Sequence, residues 1–252
     1  METMTLPIRA LFCDLDNTLC DNSLSLRGSL AEVIPWIRER YPSVEEAAIN
    51  RVFWDINDRH WGDYDRSPLR NVQSPVEVWI RICAEILEHL GIPDEELAER
   101  IGGAFQDLWL ARYFAYPDTL PVLRELKAEI PILLITNGNA AIQWMKIRQC
   151  GLESCLDAVL ISQETGVSKP GARIFHQALD IAAVDPGEAL MVGDHAGMDI
   201  LGAKAVGIQT AWMRRPGRRI LEADPSADYN VTSLEEVKDI YRQSISIAAR
   251  QP

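Results

Sequence analysis

The chain has 252 residues, 47% of them hydrophobic and 25% charged, which is the usage of a globular protein with one good core, or one core and a smaller second unit. Its formal net charge of -12 argues against a general binder of nucleic acid or of an anionic membrane surface, since either needs a basic face. Five cysteines without CxxC spacing indicate neither a disulfide framework nor a zinc site, and the lack of a signal-peptide pattern or of an apolar run near ~18 residues makes the cytoplasm the expected location.

The first predicted strand, IRALFC at 8–13, runs into DLDNT, where Asp14 and Asp16 stand two positions apart. Alternation along a strand puts residues i and i+2 on one face, so the two carboxylates repel unless a proton, a cation or solvent relieves them. From about residue 24 to 114 there is no strand pattern, and the stretch reads as an inserted helical unit with helices over 75–91 and 93–114. Within it DINDRHWGDYDRSP, 55–68, is the most polar and aromatic segment. Trp61, Tyr64, Arg59 and Arg66 are candidates there for reading a substrate, against the plainer alternative of packing, which is the reading for Trp54 and Trp79. The chain returns through Tyr116, Pro117 and Asp118, a helix-start signal, to a helix over 118–129 and a second strand, IPILLIT, at 130–136.

Strands and helices then alternate. The predicted order is a helix over 139–150, strand AVLIS at 158–162, a helix over 171–183, strand ALMVG at 189–193, a helix over 197–206 and strand IQTAWM at 208–213. A weaker strand, YNVTS, lies near 229, and a helix over 234–245 follows a Ser233 cap. This is the pattern of an α/β, Rossmann-like parallel sheet covered by helices on both faces. The expected organisation is a core of residues 1–20 and 115–252 interrupted by a helical domain of residues 21–114.

In doubly wound sheets ligands sit beyond the carboxyl ends of the strands. Four such ends carry polar groups: Asp14 with Asp16, Thr136 with Asn137, Ser168 with Lys169, and Asp194 with Asp199. Asp14, Asp16 and Asp194 offer hard oxygen ligands that suit magnesium, and a cation would relieve the repulsion between the first two. Thr136 precedes a helix start and Lys169 precedes Pro170 at another, positions that favour a phosphate or a developing oxyanion. One of the paired carboxylates can attack phosphorus while its neighbour protonates the leaving oxygen and later takes a proton from water.

DLDNT at 14–18, ITNG at 135–138, SKP at 168–170 and GDHAGMD at 193–199 resemble, in order and in strand context, the four motifs of the haloacid dehalogenase-like hydrolase superfamily. The helical insert resembles that family's cap domain, so the resemblance spans essentially the whole chain. It implies a nucleophile at Asp14 and an acid/base at Asp16, whose backbone carbonyl also meets the metal. It further implies phosphate binding by Thr136 and Lys169 with Asn137 beside them, a magnesium ligand at Asp194 and a supporting hydroxyl at Thr18. Asp199 is implied either to orient a metal-bound water or to hold Lys169.

True dehalogenases of that superfamily lack an aspartate two residues after the nucleophile, so Asp16 favours a phosphatase. A phosphomutase is the alternative, with a 2-haloacid dehalogenase or a non-catalytic binding module behind it. TNG with GDxxxxD resembles the branch holding cytosolic nucleotidases, flavin mononucleotide phosphatases and sialic-acid phosphate phosphatases. The expected substrate is a small phosphorylated metabolite, such as a nucleoside monophosphate, flavin mononucleotide or a sugar phosphate, hydrolysed through an aspartyl phosphate with Mg2+ as cofactor. The expected protein is a monomer or homodimer that engages neither nucleic acid nor membrane. Three conspicuous features take plain readings: His195 as a loop histidine without chemistry, Cys13 and Cys20 as packing, and RRPGRR at 214–219 as a solvated basic loop.

Overall fold

Strand β1 (Ala10–Cys13) has all four side chains buried, as a parallel strand covered on both faces requires. The computed structural model that contains it describes residues 6–62, 64–217 and 224–249, so Asp63, Arg218 and Arg219 of the segments singled out above lie outside the described residues. Four helices follow β1: α1 (Asn22–Arg40), α2 (Glu46–Gly62), α3 (Pro75–His89) and α4 (Glu95–Ala111). Ser74 caps α3 by accepting from Glu77 N, with Pro75 in the first turn, and Asp94 caps α4 by accepting from Leu97 N.

Helix α5 (Thr119–Lys127) leads into β2 (Ile132–Thr136), then come α6 (Ala140–Gln149), β3 (Ala158–Ile161), the short α7 (Ser162–Thr165), α8 (Ala172–Ala182) and β4 (Ala189–Gly193). The stretch expected as a helix over 197–206 differs. It opens as a π-helical turn, Ala196–Leu201, and only its end is α9 (Gly202–Lys204). The cause is local: the His195 carbonyl accepts from both Asp199 N and Ile200 N, which widens the turn by one residue. β5 (Gln209–Met213), β6 (Tyr229–Val231) and α10 (Leu234–Ala248), capped by Ser233, complete the order.

The six strands form one parallel sheet in the order β3-β2-β1-β4-β5-β6. Phe12 pairs with Leu133 on one side and Met191 on the other. Side-chain alternation sorts the strand residues onto two faces. Ala10, Phe12, Leu133, Ile135, Ala189 and Met191 share a core with Ile174, Phe175 and Ala178 of α8. On the other face α5 packs on β2, and α10 packs on α5 and β6. Truncating the fully buried Phe12 to alanine would cost ~3–5 kcal/mol. Strand order reverses at β1, between β2 and β4, and the crevice beyond the carboxyl ends at such a reversal is where ligands bind in doubly wound sheets.

The chain divides into two compact units. The first is formed by the described residues within Met1–Asp21, Ala115–Thr136 and Cys150–Pro252, and it holds the sheet with α5 and α7–α10. The second, Asn22–Phe114 with Asn137–Gln149, holds α1–α4 and α6. A division at residue 114 assigns α6 to the core. In the structure α6 packs with α4, where Lys146 lies 5.2 Å from the ring centroid of Trp109 and 5.5 Å from that of Tyr113. Just before α6, Asn139 Nδ2 donates to the Val72 carbonyl at 2.6 Å.

Inside the second unit α3 and α4 approach closely at Gly102, where a Cβ would come within 2.5 Å of Ile80 Cα. Trp79, Phe105 and Trp109 form an aromatic core around that crossing, with ring centroids 4.6 and 5.6 Å from Trp79. Trp79 is therefore packing material, and Trp54 meets Phe53 edge to face at 5.2 Å. Among the described residues no helix is long and apolar enough to cross a membrane.

Candidate active site

Asp14 leaves the end of β1 with its backbone N–H bonded to the Val192 carbonyl of β4, which ties it to the neighbouring strand at the reversal point. Lys169, arriving from the chain beyond β3, donates one hydrogen bond to Asp14 Oδ1 and a second to Asp199 Oδ1, each at 2.7 Å. All three groups are buried, with Asp199 only 1% exposed. The second oxygen of Asp199 accepts from His195 N at 3.0 Å, so the π-helical turn fixes the carboxylate that fixes the lysine.

Charge and burial oppose each other here. Burial raises the Asp14 carboxyl well above its ordinary range, Lys169 works against that shift, and Asp199 and Asp194 add to it. Burial also disfavours the Lys169 ammonium, but Asp14 and Asp199 outweigh it and raise the lysine above its ordinary value. Asp14, Asp194 and Asp199 each present a carboxylate oxygen within 4.8 Å of the others.

Asp194 follows β4. Its carbonyl accepts from Trp212 Nε1 at 2.8 Å, and its Oδ1 lies 3.5 Å from Thr18 Oγ1. Asp16 sits on a tight loop, half-buried, outside that three-carboxylate group. The loop closes on itself: Leu19 N and Cys20 N both donate to Leu15 O, and Asn17, at φ +61°, donates to Cys20 O at 2.6 Å. Asparagine tolerates that left-handed conformation better than most residues. Thr136 ends β2 and is buried. Asn137 follows it directly but belongs to the second unit, where its carbonyl accepts from Gln143 Nε2 at 2.6 Å. His195 accepts at Nδ1 from Gly197 N and Met198 N, both at 3.2 Å, and so caps the π-helical turn.

Residues 8–207 match the family described as haloacid dehalogenase-like hydrolase. The chain belongs to that family. It is 32% identical over 233 residues to the N-acylneuraminate-9-phosphatase of Mus musculus, covering 91% of this chain and 92% of the mouse protein. It is 31% identical over 248 residues to the glyceraldehyde 3-phosphate phosphatase of Pyrococcus furiosus, covering 92% of each. The crystal structure of the HAD-hydrolase YfnB from Bacillus subtilis bound to magnesium superposes with a TM-score of 0.69 at 19% identity, over 93% of this chain and 99% of that one, which speaks to the fold alone.

In this haloacid dehalogenase-like hydrolase one buried group escapes sequence reasoning. Arg215, inside RRPGRR, is not solvated; it is 5% exposed and donates from Nε and Nη2 to the Thr18 carbonyl at 3.1 and 2.9 Å. Its Nη1 pairs with Asp118 Oδ2 at 2.7 Å. Asp118 precedes α5, as its helix-start position suggests, yet makes no side-chain cap there. The carboxylate turns instead to Arg215 and to Leu234 N. No sequence signal separates Arg215 from the arginines beside it, because the partner that selects it is a backbone carbonyl 197 residues away.

The hydrolase's polar segment at 55–68 is partly committed to its own unit. Arg59 pairs with Glu85 at 2.5 Å, and the Trp61 and Tyr64 rings stack 5.7 Å apart at an 8° interplanar angle. Cys13 packs in β1. Cys20 lies buried with its Sγ 3.2 Å from Cys150 Sγ, neither sulfur in a disulfide.

Proposed function

We propose that this enzyme is a magnesium-dependent phosphatase that hydrolyses a small phosphorylated sugar through an aspartyl phosphate on Asp14. The observation that carries the reading is the Asp14–Lys169–Asp199 bridge with Asp194 beside it: a buried carboxylate nucleophile, a fixed ammonium and a group of acids at one strand-order reversal. The donor set suits a hard divalent cation. Three carboxylates within 4.8 Å against one ammonium leave an excess of negative charge that such an ion balances. Asp14 and Asp194, with the Asp16 carbonyl, would hold it, because both oxygens of Asp199 are engaged by Lys169 and His195 N. When bound, the ion neutralises charge on the transferring phosphoryl group.

The chain's own residues divide the remaining work. Asp14 attacks phosphorus, and the ester oxygen leaves with a proton from Asp16. Asp16, now ionised, takes a proton from a water that attacks the aspartyl phosphate, which returns Asp14 as a carboxylate and releases phosphate. Lys169 and the Thr136 hydroxyl hold the phosphoryl oxygens. Asp199 keeps Lys169 in place. The helical second unit serves as the cap that reads the rest of the substrate.

N-acylneuraminate 9-phosphate is the first substrate to test, because the mouse enzyme of that name matches over nine-tenths of both chains. The experiment measures phosphate release by wild type and Asp14→Asn, with magnesium or with chelator. The panel contains that ester, glyceraldehyde 3-phosphate, a pyrimidine nucleoside monophosphate and flavin mononucleotide. Release by wild type alone, and only with magnesium, supports the reading. Release by Asp14→Asn at the wild-type rate removes Asp14 as nucleophile, and isomerised product without free phosphate would make the enzyme a phosphomutase.

A further inference from the structure

The loop that carries Asp16 is closed by the bonds from residues 17, 19 and 20, and its Leu19 carbonyl accepts from Tyr116 N at 3.0 Å and Thr119 Oγ1 at 2.8 Å. Its middle carbonyl, Thr18 O, is gripped by two N–H groups of one guanidinium, and that guanidinium is held from behind. Asp118 Oδ2 accepts from Arg215 Nη1 and also from Leu234 N, each at 2.7 Å, so the start of α10 anchors the carboxylate that anchors the arginine. The Tyr116 ring lies 4.1 Å from the guanidinium carbon and fixes its plane. Arg215 itself is set by β5, since Arg214 N donates to Val231 O of β6 one residue earlier. The result is a chain of fixed contacts from α10 through Asp118 and Arg215 to the carbonyl two residues after Asp16.

We propose that Arg215 is a positioning residue for proton transfer: its fork on the Thr18 carbonyl holds the 16–18 turn so that Asp16 stays aimed at the leaving oxygen. This rests on the reading of Asp16 as the acid/base given above. Proton transfer demands hydrogen-bond distance to the reacting oxygen, and a displacement of about 1 Å costs on the order of a hundredfold. Lysine cannot replace the fork. It offers a point charge on a flexible stem, whereas Arg215 places two parallel donors on one carbonyl and a third on a carboxylate.

A purely structural brace and a proton-positioning brace differ in how the loss depends on the leaving group. An aryl phosphate with a stabilised phenolate departs with little help from an acid, while an alkyl phosphate needs the proton. The experiment compares kcat/KM for p-nitrophenyl phosphate and for an alkyl phosphate ester accepted by wild type, in wild type, Asp16→Asn, Arg215→Lys and Asp118→Asn, with thermal unfolding of each. Arg215→Lys is expected to lose between about tenfold and a hundredfold on the alkyl ester and less than about threefold on the aryl ester, the same skew as Asp16→Asn in weaker form. Asp118→Asn, which removes the charge that holds Arg215 from behind but leaves both bonds to Thr18 O available, should show the same skew, weaker than in Arg215→Lys.

Equal losses on both esters by Arg215→Lys, or no loss, would overturn the proposal. Absence of skew in Asp16→Asn would instead overturn the reading of Asp16, so the two failures are distinguishable. Should Arg215→Lys not fold, Arg215→Gln, whose amide keeps a donor for the carbonyl, carries the same comparison.

Discussion

Lys169 and Asp14 meet at 2.7 Å, 155 residues apart in sequence, in a pocket where the lysine side chain is 2% exposed and the aspartate side chain 11%. A carboxylate so far from water resists ionisation, and an ammonium at hydrogen-bond distance favours its anionic form. Asp199, on the other side of the same nitrogen, keeps that ammonium charged and stationary.

Removing the bridge should cost both stability and turnover. Lys169→Ala leaves Asp14 and Asp199 buried without their shared cation, a change that typically costs ~3–5 kcal/mol. It should also lower kcat by at least about a hundredfold, as loss of one preorganised electrostatic group does. Lys169→Arg restores the charge but not the compact geometry, and is expected to recover stability better than activity. Urea unfolding and phosphate release measure the two effects, and wild-type turnover in Lys169→Ala would exclude the bridge from catalysis.

Asp94 provides a pH-dependent brace in the helical unit. Its carboxylate accepts from Leu97 N at 3.0 Å and from Tyr41 OH at 2.7 Å and pairs with Arg40, and the backbone bond first, then Tyr41 and Arg40, hold it below the usual carboxylate range. A depressed folded-state value means stability that is present above the unfolded pKa and lost as pH falls through the folded one. Asp94→Asn keeps the cap acceptor but removes the charge. Thermal unfolding of wild type and variant should therefore differ most near neutral pH and converge in acid; a constant gap down to the acid limit would show that the charge contributes nothing.

A second brace surrounds His60. The imidazole is buried, with Nδ1 2.9 Å from Ser67 Oγ and Nε2 2.6 Å from Glu85 Oε2, while Ser67 Oγ also accepts from Leu69 N. Ser67→Ala leaves a ring nitrogen and a backbone N–H without their partner and should cost ~1–3 kcal/mol. In a double-mutant cycle with Glu85→Gln the two losses should be non-additive by ~0.5–3 kcal/mol, because both act through one ring. Additive losses in urea unfolding would mean that the serine and glutamate act independently.

The strands were legible because buried parallel strands read as unbroken apolar runs between turn residues; ALMVG has the same bounds in sequence and structure. The acids at the strand ends were legible for a related reason, since a charged pair directly after an apolar run has little structural use. What was not legible depends on tertiary partners. The π-helical turn arises from competing bonds to the His195 carbonyl, which a 3.6-residue period does not encode. Asp118 has the residue type and place of a helix cap, but a guanidinium brought from beyond β5 takes its carboxylate. Helix α6 has the chain position of a core helix and the packing partners of the helical unit, because Lys146 finds Trp109 and Tyr113 there.

Gly193, the last residue of β4, is required by a neighbour rather than by its own backbone. A Cβ there would stand 2.3 Å from Asp199 Cγ and 2.4 Å from Asp199 Oδ2. Asp199 cannot yield freely, because Lys169 holds one oxygen and His195 N the other. Gly193→Ala should therefore cost ~1–3 kcal/mol by overpacking. It should also reduce turnover more than its stability loss explains, since the displaced carboxylate releases Lys169. Gly103→Ala is the contrast: its Cβ would meet nothing within 4 Å, and alanine within α4 should stabilise by ~0.5–1 kcal/mol with turnover unchanged. Urea unfolding and phosphate release on the two variants separate the cases. If Gly193→Ala kept wild-type turnover, Asp199 could move without consequence for Lys169, and its role as the holder of that lysine would be wrong.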